Sequence, residues 1–150
     1  MENILTAVLI DTNILVYANN KDSPFHETSR RLAEDVLNGN IKAVLAVQNL
    51  VELYAIITDK KRVEHPLTHD KARRLIELYE NHIVIIHPTH QTIRTLVKLI
   101  GMYKPSAQSI FDCLLAATML DNNINKIYTG NSKHFEPFDF ITVTNPFSSQ

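Results

Sequence analysis

Cysteine and long apolar runs are scarce in this sequence, and each scarcity excludes a class of protein. Cys113 is the only cysteine among 150 residues, so no internal disulfide can form, which fits a reducing cytoplasm. No apolar run approaches the roughly 20 residues that a membrane-spanning helix needs. The N-terminus also lacks the pattern of a secretory signal. We therefore expect a cytoplasmic chain without a membrane partner.

Glycine is rare as well, with three residues in the chain. No glycine-rich linker separates two parts of the sequence. The turn after the first apolar segment contains no glycine, which argues against a dinucleotide-binding loop. With 150 residues and 45% hydrophobic content, the sequence predicts one globular domain, residues 1–150, with a substantial buried core.

The net charge is close to zero and gives no general attraction to nucleic acid. The formal charge is −1 at pH 7, so the chain has no global basic field. Basic residues do cluster locally, at Lys60–Arg62 and at Lys71, Arg73 and Arg74. Such clusters are typical of solvated helix faces, and they would equally serve to position a phosphodiester. Charge alone leaves both interpretations open.

Short apolar segments alternate with longer amphipathic segments along the chain. The apolar segments predict strands at Ala7–Ile10, Lys42–Val47, Ile83–Ile86, Lys126–Thr129 and Phe140–Val143. The segments between them predict helices at about 12–20, 24–38, 49–61, 68–81, 89–103 and 107–122. This alternation predicts an α/β fold, with a mostly parallel central sheet of about five strands and helices on both faces.

Three acidic residues stand in otherwise apolar segments, namely Asp11, Glu52 and Asp112. A carboxylate among aliphatic side chains is costly unless a cation or hydrogen bonds compensate it. Asp11 follows the first predicted strand, and Glu52 follows the second by one short loop. A parallel sheet would bring both to its carboxyl edge, where ligands of such sheets bind. We expect the three carboxylates to meet at one cleft.

Helix capping is the structural alternative for each acid. Asp11 precedes a predicted helix, and the Asn49–Glu52 and Ser109–Asp112 spacings are those of capping boxes. A capping carboxylate stabilises a protein by about 1 kcal/mol, which is enough to retain it without catalysis. Helix N-termini also stabilise negative charge, so the same placement would keep the acids ionised for a cation.

A divalent cation is the partner that the acids themselves favour. Asp112 has no lysine or arginine three or four positions away on its helix. Ligation by carboxylate oxygens with retained waters suits Mg²⁺ or Mn²⁺. The seven histidines have no companion cysteine pair and do not predict structural zinc.

The segments around these acids resemble the motifs of the PIN-domain nucleases. LIDTNILVYA is similar to the first motif, QNLVELYAII to the second and FDCLLAATML to the third. YTGNSKHFE resembles the Thr-x-Asp/Asn motif that precedes the last strand. The resemblance covers essentially the whole chain, and proteins of this size look most like the VapC toxins of toxin–antitoxin pairs. It implies a Rossmann-like sheet and a metal-dependent endoribonuclease that hydrolyses RNA phosphodiester bonds.

Carried over by position, the resemblance implies a set of site residues. Asp11, Glu52 and Asp112 match the acids that catalyse the reaction and ligate Mg²⁺ or Mn²⁺. Asn131 falls at the fourth ligand position, where many relatives have Asp, and this departure favours one-metal chemistry. Glu136 and Asp121 are weaker matches for a fourth acid.

Four more positions are expected to support the acids or touch the substrate, namely Thr12, Asn13, Thr129 and His134. Asn13 is expected to pin its loop, Thr129 to hydrogen-bond an acid, and His134 to contact phosphate. The implied partners are RNA, an antitoxin protein and a second copy of the chain. The helices of residues 49–81 are the expected homodimer interface.

Two alternatives within the same family stay open. One is a degenerate PIN module that binds RNA or a protein without cleavage, which Asn131 would support. The other is a housekeeping RNA-processing nuclease without an antitoxin. Unrelated classes fit less well, because an aspartyl phosphatase places a second Asp where this chain has Asn13. A signalling receiver domain needs an early pair of acids and a late lysine, and neither is clear here.

Overall fold

The computed structural model describes residues 6–148. Within this range lie five strands, β1 (Val8–Ile10), β2 (Ala43–Ala46), β3 (Val84–Ile86), β4 (Lys126–Tyr128) and β5 (Thr142–Thr144). The α-helices are α1 (Thr12–Ala18), α2 (His26–Leu37), α3 (Val47–Ile57), α4 (His69–His82), α5 (Thr92–Tyr103) and α6 (Ile110–Asp121). A short 3-10 helix covers Ser132–His134. The expected absence of a secretory signal concerns the first residues, which lie outside the described range.

The predicted parallel sheet is confirmed. The five strands lie in the order β3-β2-β1-β4-β5, and every neighbouring pair is parallel. The order runs outward from β1 through β2 and β3 on one side and through β4 and β5 on the other. The strand order therefore reverses between β1 and β4, where Ile10 lies opposite Tyr128. In such sheets a crevice opens at the carboxyl ends of the strands beside this switch point.

Both faces of the sheet are buried, because successive strand residues point to opposite sides. Leu9 and Val44 pack with α5 and α6 in one hydrophobic core. Val8, Ile10 and Leu45 pack with α1, α2, α3 and α4 in the other. This double burial explains why the central strands β1 and β2 are apolar throughout, whereas β4 and β5 carry exposed polar residues such as Lys126 and Thr142. In residues 6–148 the longest helix is α4, with 14 residues, and no helix there is long and apolar enough to cross a membrane.

Helix α3 begins at Val47, two residues before the predicted start. The buried Asn49 side chain explains the difference, because its Oδ1 accepts the backbone N–H of Ala46 at 2.8 Å. Asn49 thus satisfies a donor at the helix start from within the first turn. The capping-box alternative for Glu52 is therefore wrong.

The capping-box alternative for Asp112 is also wrong. Helix α6 begins after Ser109, whose side chain makes no capping hydrogen bond to the helix. Instead the Ser109 Oγ accepts the backbone N–H of Ser106 at 2.8 Å, within the turn that precedes α6. Asp112 lies in the first helical turn without a capping partner, so its position needs another explanation.

The last strand begins at Thr142 instead of at the predicted Phe140. The backbone N–H of Ile141 donates to the carbonyl of Phe138, so the chain is still turning there. The Phe138 and Phe140 rings lie 5.8 Å apart and cover the end of the core. Pairing with β4 starts only where Thr142 lies opposite Lys126. The apolar run was therefore only partly strand.

Replacement of Asn49 tests the role of its side chain in this architecture. Asn49→Ala leaves the buried N–H of Ala46 without its acceptor and removes the bond to Thr12, so we expect unfolding to become about 2 kcal/mol easier. The control is Asn40→Ala, because Asn40 is exposed and its side chain makes a single weak contact, at 3.4 Å with Asp35. Its effect should stay within about 0.5 kcal/mol. Unfolding free energies are measured by urea denaturation. Equal losses of unfolding free energy in the two variants would contradict the role assigned to the Asn49 side chain.

Candidate active site

The carboxylate of Asp11 lies at the switch point of the sheet. Asp11 directly follows β1, and its backbone N–H donates to the carbonyl of Tyr128 on β4. Its Oδ1 accepts the backbone N–H of Thr12 at 2.8 Å and thereby caps α1. Its Oδ2 accepts the Thr129 hydroxyl at 2.7 Å, as expected for that residue. The capping interpretation of Asp11 is therefore confirmed, for a residue that is only 9% exposed.

Glu52 reaches the same place from α3. Its Oε2 accepts the Thr12 hydroxyl at 3.1 Å, and its Oε1 accepts the Gln48 side-chain amide at 2.8 Å. The Thr12 hydroxyl in turn accepts the Asn49 amide at 3.1 Å. Thr12 therefore joins the first residue of α1 to two side chains of α3. Both oxygens of Glu52 are held, which fixes the carboxylate beside Asp11.

Asp112 comes to the site from the first turn of α6. Its side chain is 25% exposed, and its Oδ2 lies 3.5 Å from Nδ1 of His134, which ends the 3-10 helix after β4. Within residues 6–148 this is the only ion pair that involves any of the three acids. No lysine or arginine in that range pairs with the three acids.

Burial sets the protonation behaviour of Asp11 and Asp112. Desolvation raises the pKa of Asp11 from 3.8 to about 6; the hydrogen bonds from Thr129 and Thr12 oppose the rise, and the charges of Glu52 and Asp112 add to it. Burial likewise raises the pKa of Asp112, against the opposing charge of His134. The mutual charge effects mean that the three acids face one another, as predicted. The expected effect of the helix N-termini does not offset burial, but with a pKa of about 6 Asp11 is still mostly ionised at pH 7.

The remaining predicted residues lie in the loop after β4 or against it. The Asn13 Oδ1 accepts the backbone N–H of Gly130 at 3.3 Å, so Asn13 ties α1 to this loop as predicted. The backbone N–H of Asn131 donates to the Thr129 hydroxyl at 3.0 Å, while the Asn131 side chain is exposed. Asn131 thus supports Asp11 indirectly, through its backbone and Thr129.

A cavity of about 760 Å³ opens beside these acids. Glu52 and Asp112 lie on its wall, and Asp11 is buried outside the lining set. Two cationic side chains, Arg62 and Lys133, share the same wall with the His134 ring and the exposed ring of Phe111. The acidic site is therefore open to a ligand and bordered by positive charge.

Sequence reasoning missed several residues of this site. Gln48 lies four positions before Glu52, a spacing that predicts a contact on one helix face, so a signal was present. Arg62 was visible only as a member of a basic cluster, and Lys133 only as part of the YTGNSKHFE segment. Nothing in the sequence places them on one wall, because the α3–α4 loop and the loop after β4 meet only in the fold.

The weaker matches for a fourth acid lie elsewhere. The Asp121 Oδ1 accepts the Thr95 hydroxyl at 2.8 Å, at the opposite end of α6 from Asp112. Glu136 is exposed and is absent from the cavity wall.

A separate cluster consists of Asp22, Glu64 and His65. Each of these residues offers one atom that could bind a metal ion, and these atoms lie within 4.8 Å of one another. All three residues are exposed, and His65 pairs with Asp22 at 2.8 Å, which explains their proximity.

The donor set of Asp11, Glu52 and Asp112 fits a hard divalent cation. The three side chains provide six potential ligand atoms, and all six are carboxylate oxygens, the ligands that Mg²⁺ and Mn²⁺ prefer. The buried Asp11 has two hydrogen bonds, and its pKa is nevertheless raised, so the site lacks positive charge at that carboxylate. Asn131 could add an amide oxygen only if its exposed side chain turned inward.

Comparison with known proteins agrees with this architecture. Residues 8–140 match the PIN domain family. Ribonuclease VapC24 of Mycobacterium tuberculosis is 26% identical to the chain over 141 residues, which cover 93% of this chain and 97% of that protein.

Two solved structures share the fold. One is Mycobacterium tuberculosis VapC20, described as a sarcin-ricin loop cleaving toxin, with a TM-score of 0.65, 15% identity and coverage of 88% of this chain and 95% of that one. The other is a toxin–antitoxin complex from Klebsiella pneumoniae, with a TM-score of 0.64, 17% identity and coverage of 95% and 100%. The match over residues 8–140, together with the acids at the switch point, shows that the chain belongs to the PIN domain family.

Proposed function

We propose that this chain is a metal-dependent endoribonuclease and the toxin of a toxin–antitoxin pair. The observation that carries the proposal is the meeting of Asp11, Glu52 and Asp112 beside a cavity with a cationic rim. The ribonuclease name of VapC24 supports RNA as the substrate. Membership of the PIN domain family supports the same reaction class.

The three acids would hold Mg²⁺ or Mn²⁺, with Asp11 and Asp112 as the main ligands. When bound, such an ion lowers the pKa of a coordinated water and offsets charge on the phosphate. Glu52 is the general base of the proposal, because it lies on the cavity wall and its two hydrogen bonds fix its orientation. It would accept the proton of the attacking water.

The other polar residues support this chemistry by position. Thr129 and Thr12 hold the Asp11 carboxylate in one orientation through its two oxygens. Asn13 fixes the loop that carries Thr129. His134 lies on the cavity wall beside Asp112, where its ring can donate to a phosphate oxygen of the substrate.

The proposed partners are an antitoxin protein and a second copy of the chain. The toxin–antitoxin complex of Klebsiella pneumoniae supports the first, because its fold covers almost this whole chain. For the homodimer we retain the surface of α3 and α4. There the exposed Val47 and Val51 border a groove with Tyr54 and Ile76. We place the activity in the cytoplasm, where the buried Cys113 stays reduced.

A non-catalytic PIN module is the second candidate function. The exposed Asn131 side chain favours it, because the fourth ligand position then adds no charge to the site. Absence of Mn²⁺ binding in calorimetry would support this candidate. Within the catalytic proposal, co-purification of a small antitoxin distinguishes a toxin from a housekeeping nuclease.

Substitution of two aspartates on one helix tests the catalytic proposal. Asp112→Asn removes a ligand charge and should reduce RNA cleavage in Mg²⁺ by about a hundredfold or more. Asp121→Asn is the matched control on α6 and should keep full activity, because that side chain bonds to Thr95 away from the cavity. EDTA should abolish cleavage by both the parent and the control. Full activity of Asp112→Asn, or full activity of the parent protein in EDTA, would falsify the proposal.

The raised pKa of Asp11 predicts a characteristic dependence of stability on pH. The folded chain holds this proton more tightly than the unfolded chain, so ionisation between pH 3.8 and about 6 destabilises the fold as pH rises. The shift of about two pKa units corresponds to about 3 kcal/mol. Asp11→Asn should therefore exceed the parent in stability at pH 8, with the gain fading at pH 4.

The parent protein and Asp11→Asn also test whether the site binds a cation. In the absence of RNA, Mn²⁺ at pH 8 should raise the melting temperature of the parent, because the ion binds only the folded site. It should leave Asp11→Asn unchanged. A stability gain that is equal at pH 4 and pH 8 would contradict the assigned pKa, and an equal Mn²⁺ effect on both proteins would contradict the ligand role.

A further inference from the structure

Phe111 presents its ring at the wall of the acidic cavity. It is the second residue of α6, directly before Asp112, and it is 53% exposed. Single exposed apolar residues are ordinary on protein surfaces. Phe111 differs from them by its location, because it shares a cavity wall with two of the three acids, Glu52 and Asp112.

The position of Phe111 is coupled to that of Glu52. The side-chain amide of Gln48 donates to the backbone carbonyl of Phe111 at 3.0 Å and to the Oε1 of Glu52 at 2.8 Å. One side chain of α3 therefore fixes both the start of α6 and the carboxylate. The ring is thus carried on a backbone held at a set place relative to the acids.

Arg62 and Lys133 supply positive charge on the same wall. Both are exposed, and within residues 6–148 neither forms an ion pair with a carboxylate. Arg62 comes from the loop between α3 and α4, and Lys133 from the 3-10 helix after β4. Two cations on separate segments and an exposed aromatic ring on one cavity wall form the combination that binds single-stranded nucleic acid.

We propose that Phe111 is the stacking platform for one unpaired base of the RNA, whose adjacent phosphates lie on Arg62 and Lys133. This assignment rests on the proposed ribonuclease function and names its substrate form. A base in a duplex is stacked and paired, so it reaches Phe111 only when the strand is single or the base is turned out. Phe111 is thus a substrate-binding residue that selects for unpaired RNA.

The surroundings of the ring favour RNA over a protein partner. The cores of protein interfaces are depleted of charged residues. The wall around Phe111 is instead rich in charge, with Glu52, Asp112, Arg62 and Lys133 on one cavity. Cationic side chains and an exposed aromatic ring on one wall suit a phosphate backbone with a base attached.

Binding measurements in an inactive background test the assignment. The probe is a short fluorescein-labelled single-stranded RNA in Mg²⁺. Every protein in this series carries Asp11→Asn, which prevents cleavage, and the Asp11→Asn protein without a further substitution is the parent of the series. Phe111→Ala should weaken binding by about 5- to 100-fold, while Phe111→Tyr and Phe111→Trp should stay within about twofold. The control is Ile93→Ala on α5, where the removed side chain is 66% exposed and off the cavity, and it should bind like the parent.

An abasic RNA isolates the stacking contact. When the base that lies on Phe111 is missing, the parent and Phe111→Ala should bind with equal affinity, because the two deletions remove the same interaction. Arg62→Ala and Lys133→Ala should each reduce the slope of log Kd against log salt by about 0.7, as expected for one phosphate contact on a single strand.

The outcomes separate the two proposals. If the parent binds RNA and Phe111→Ala binds equally well, the stacking assignment is wrong and the ribonuclease proposal is untouched. If the wild-type chain in Mg²⁺ neither binds nor cleaves the RNA, both are wrong. If Phe111→Ala leaves RNA binding intact and light scattering shows a loss of oligomer, the ring belongs to a protein interface and the assignment is overturned.

Discussion

The carboxylate of Asp11 is the group on which the rest of the site depends. It is buried at the point where the strand order reverses, and it is held there by a backbone N–H of α1 and a hydroxyl that follows β4. These two hydrogen bonds do not fully offset its desolvation, since its pKa is raised to about 6. The fold therefore maintains a negative charge at a cost to stability. A cost of this kind is typical of functional sites, because a ligand that supplies positive charge then binds with more favourable energy.

Thr12, at the start of α1, and Gln48, at the start of α3, each connect several elements of the site. The Thr12 hydroxyl donates to Glu52 and accepts from Asn49, so it joins α1 to α3. Gln48 extends the same chain of contacts from Glu52 to the carbonyl of Phe111 on α6. Asp11 and Glu52 are thus positioned by neutral hydrogen-bonding groups, and the backbone next to Asp112 is held by a neutral side chain. Neutral partners can orient a carboxylate without neutralising it, and this leaves its charge available to a cation.

The sequence predicted the parts of this structure that depend on local pattern. Asp11 was recognisable because it follows an apolar strand, and in a parallel sheet that position alone leads to the switch point. The start of α3 was misplaced because Asn49 was read as a cap, whereas its oxygen bonds backward to Ala46 from inside the helix. Arg62 and Lys133 could not be assigned to the site, because they are far apart in sequence and meet only through the packing of two loops. A single sequence gives no signal that two distant loops lie close together when neither loop has a periodic pattern.

The distribution of charge around the cavity resolves an apparent conflict with the near-neutral net charge. A site with three carboxylates repels a phosphate backbone, and a chain of net charge −1 has no long-range field to overcome this repulsion. The cationic side chains of Arg62 and Lys133 are placed on the cavity wall itself. At that short range they would act on the phosphates of the proposed RNA substrate beside the acids, where screening by salt is weak. Under this proposal, local charge on the cavity wall takes the place of the general basic character that nucleic-acid-binding proteins commonly show.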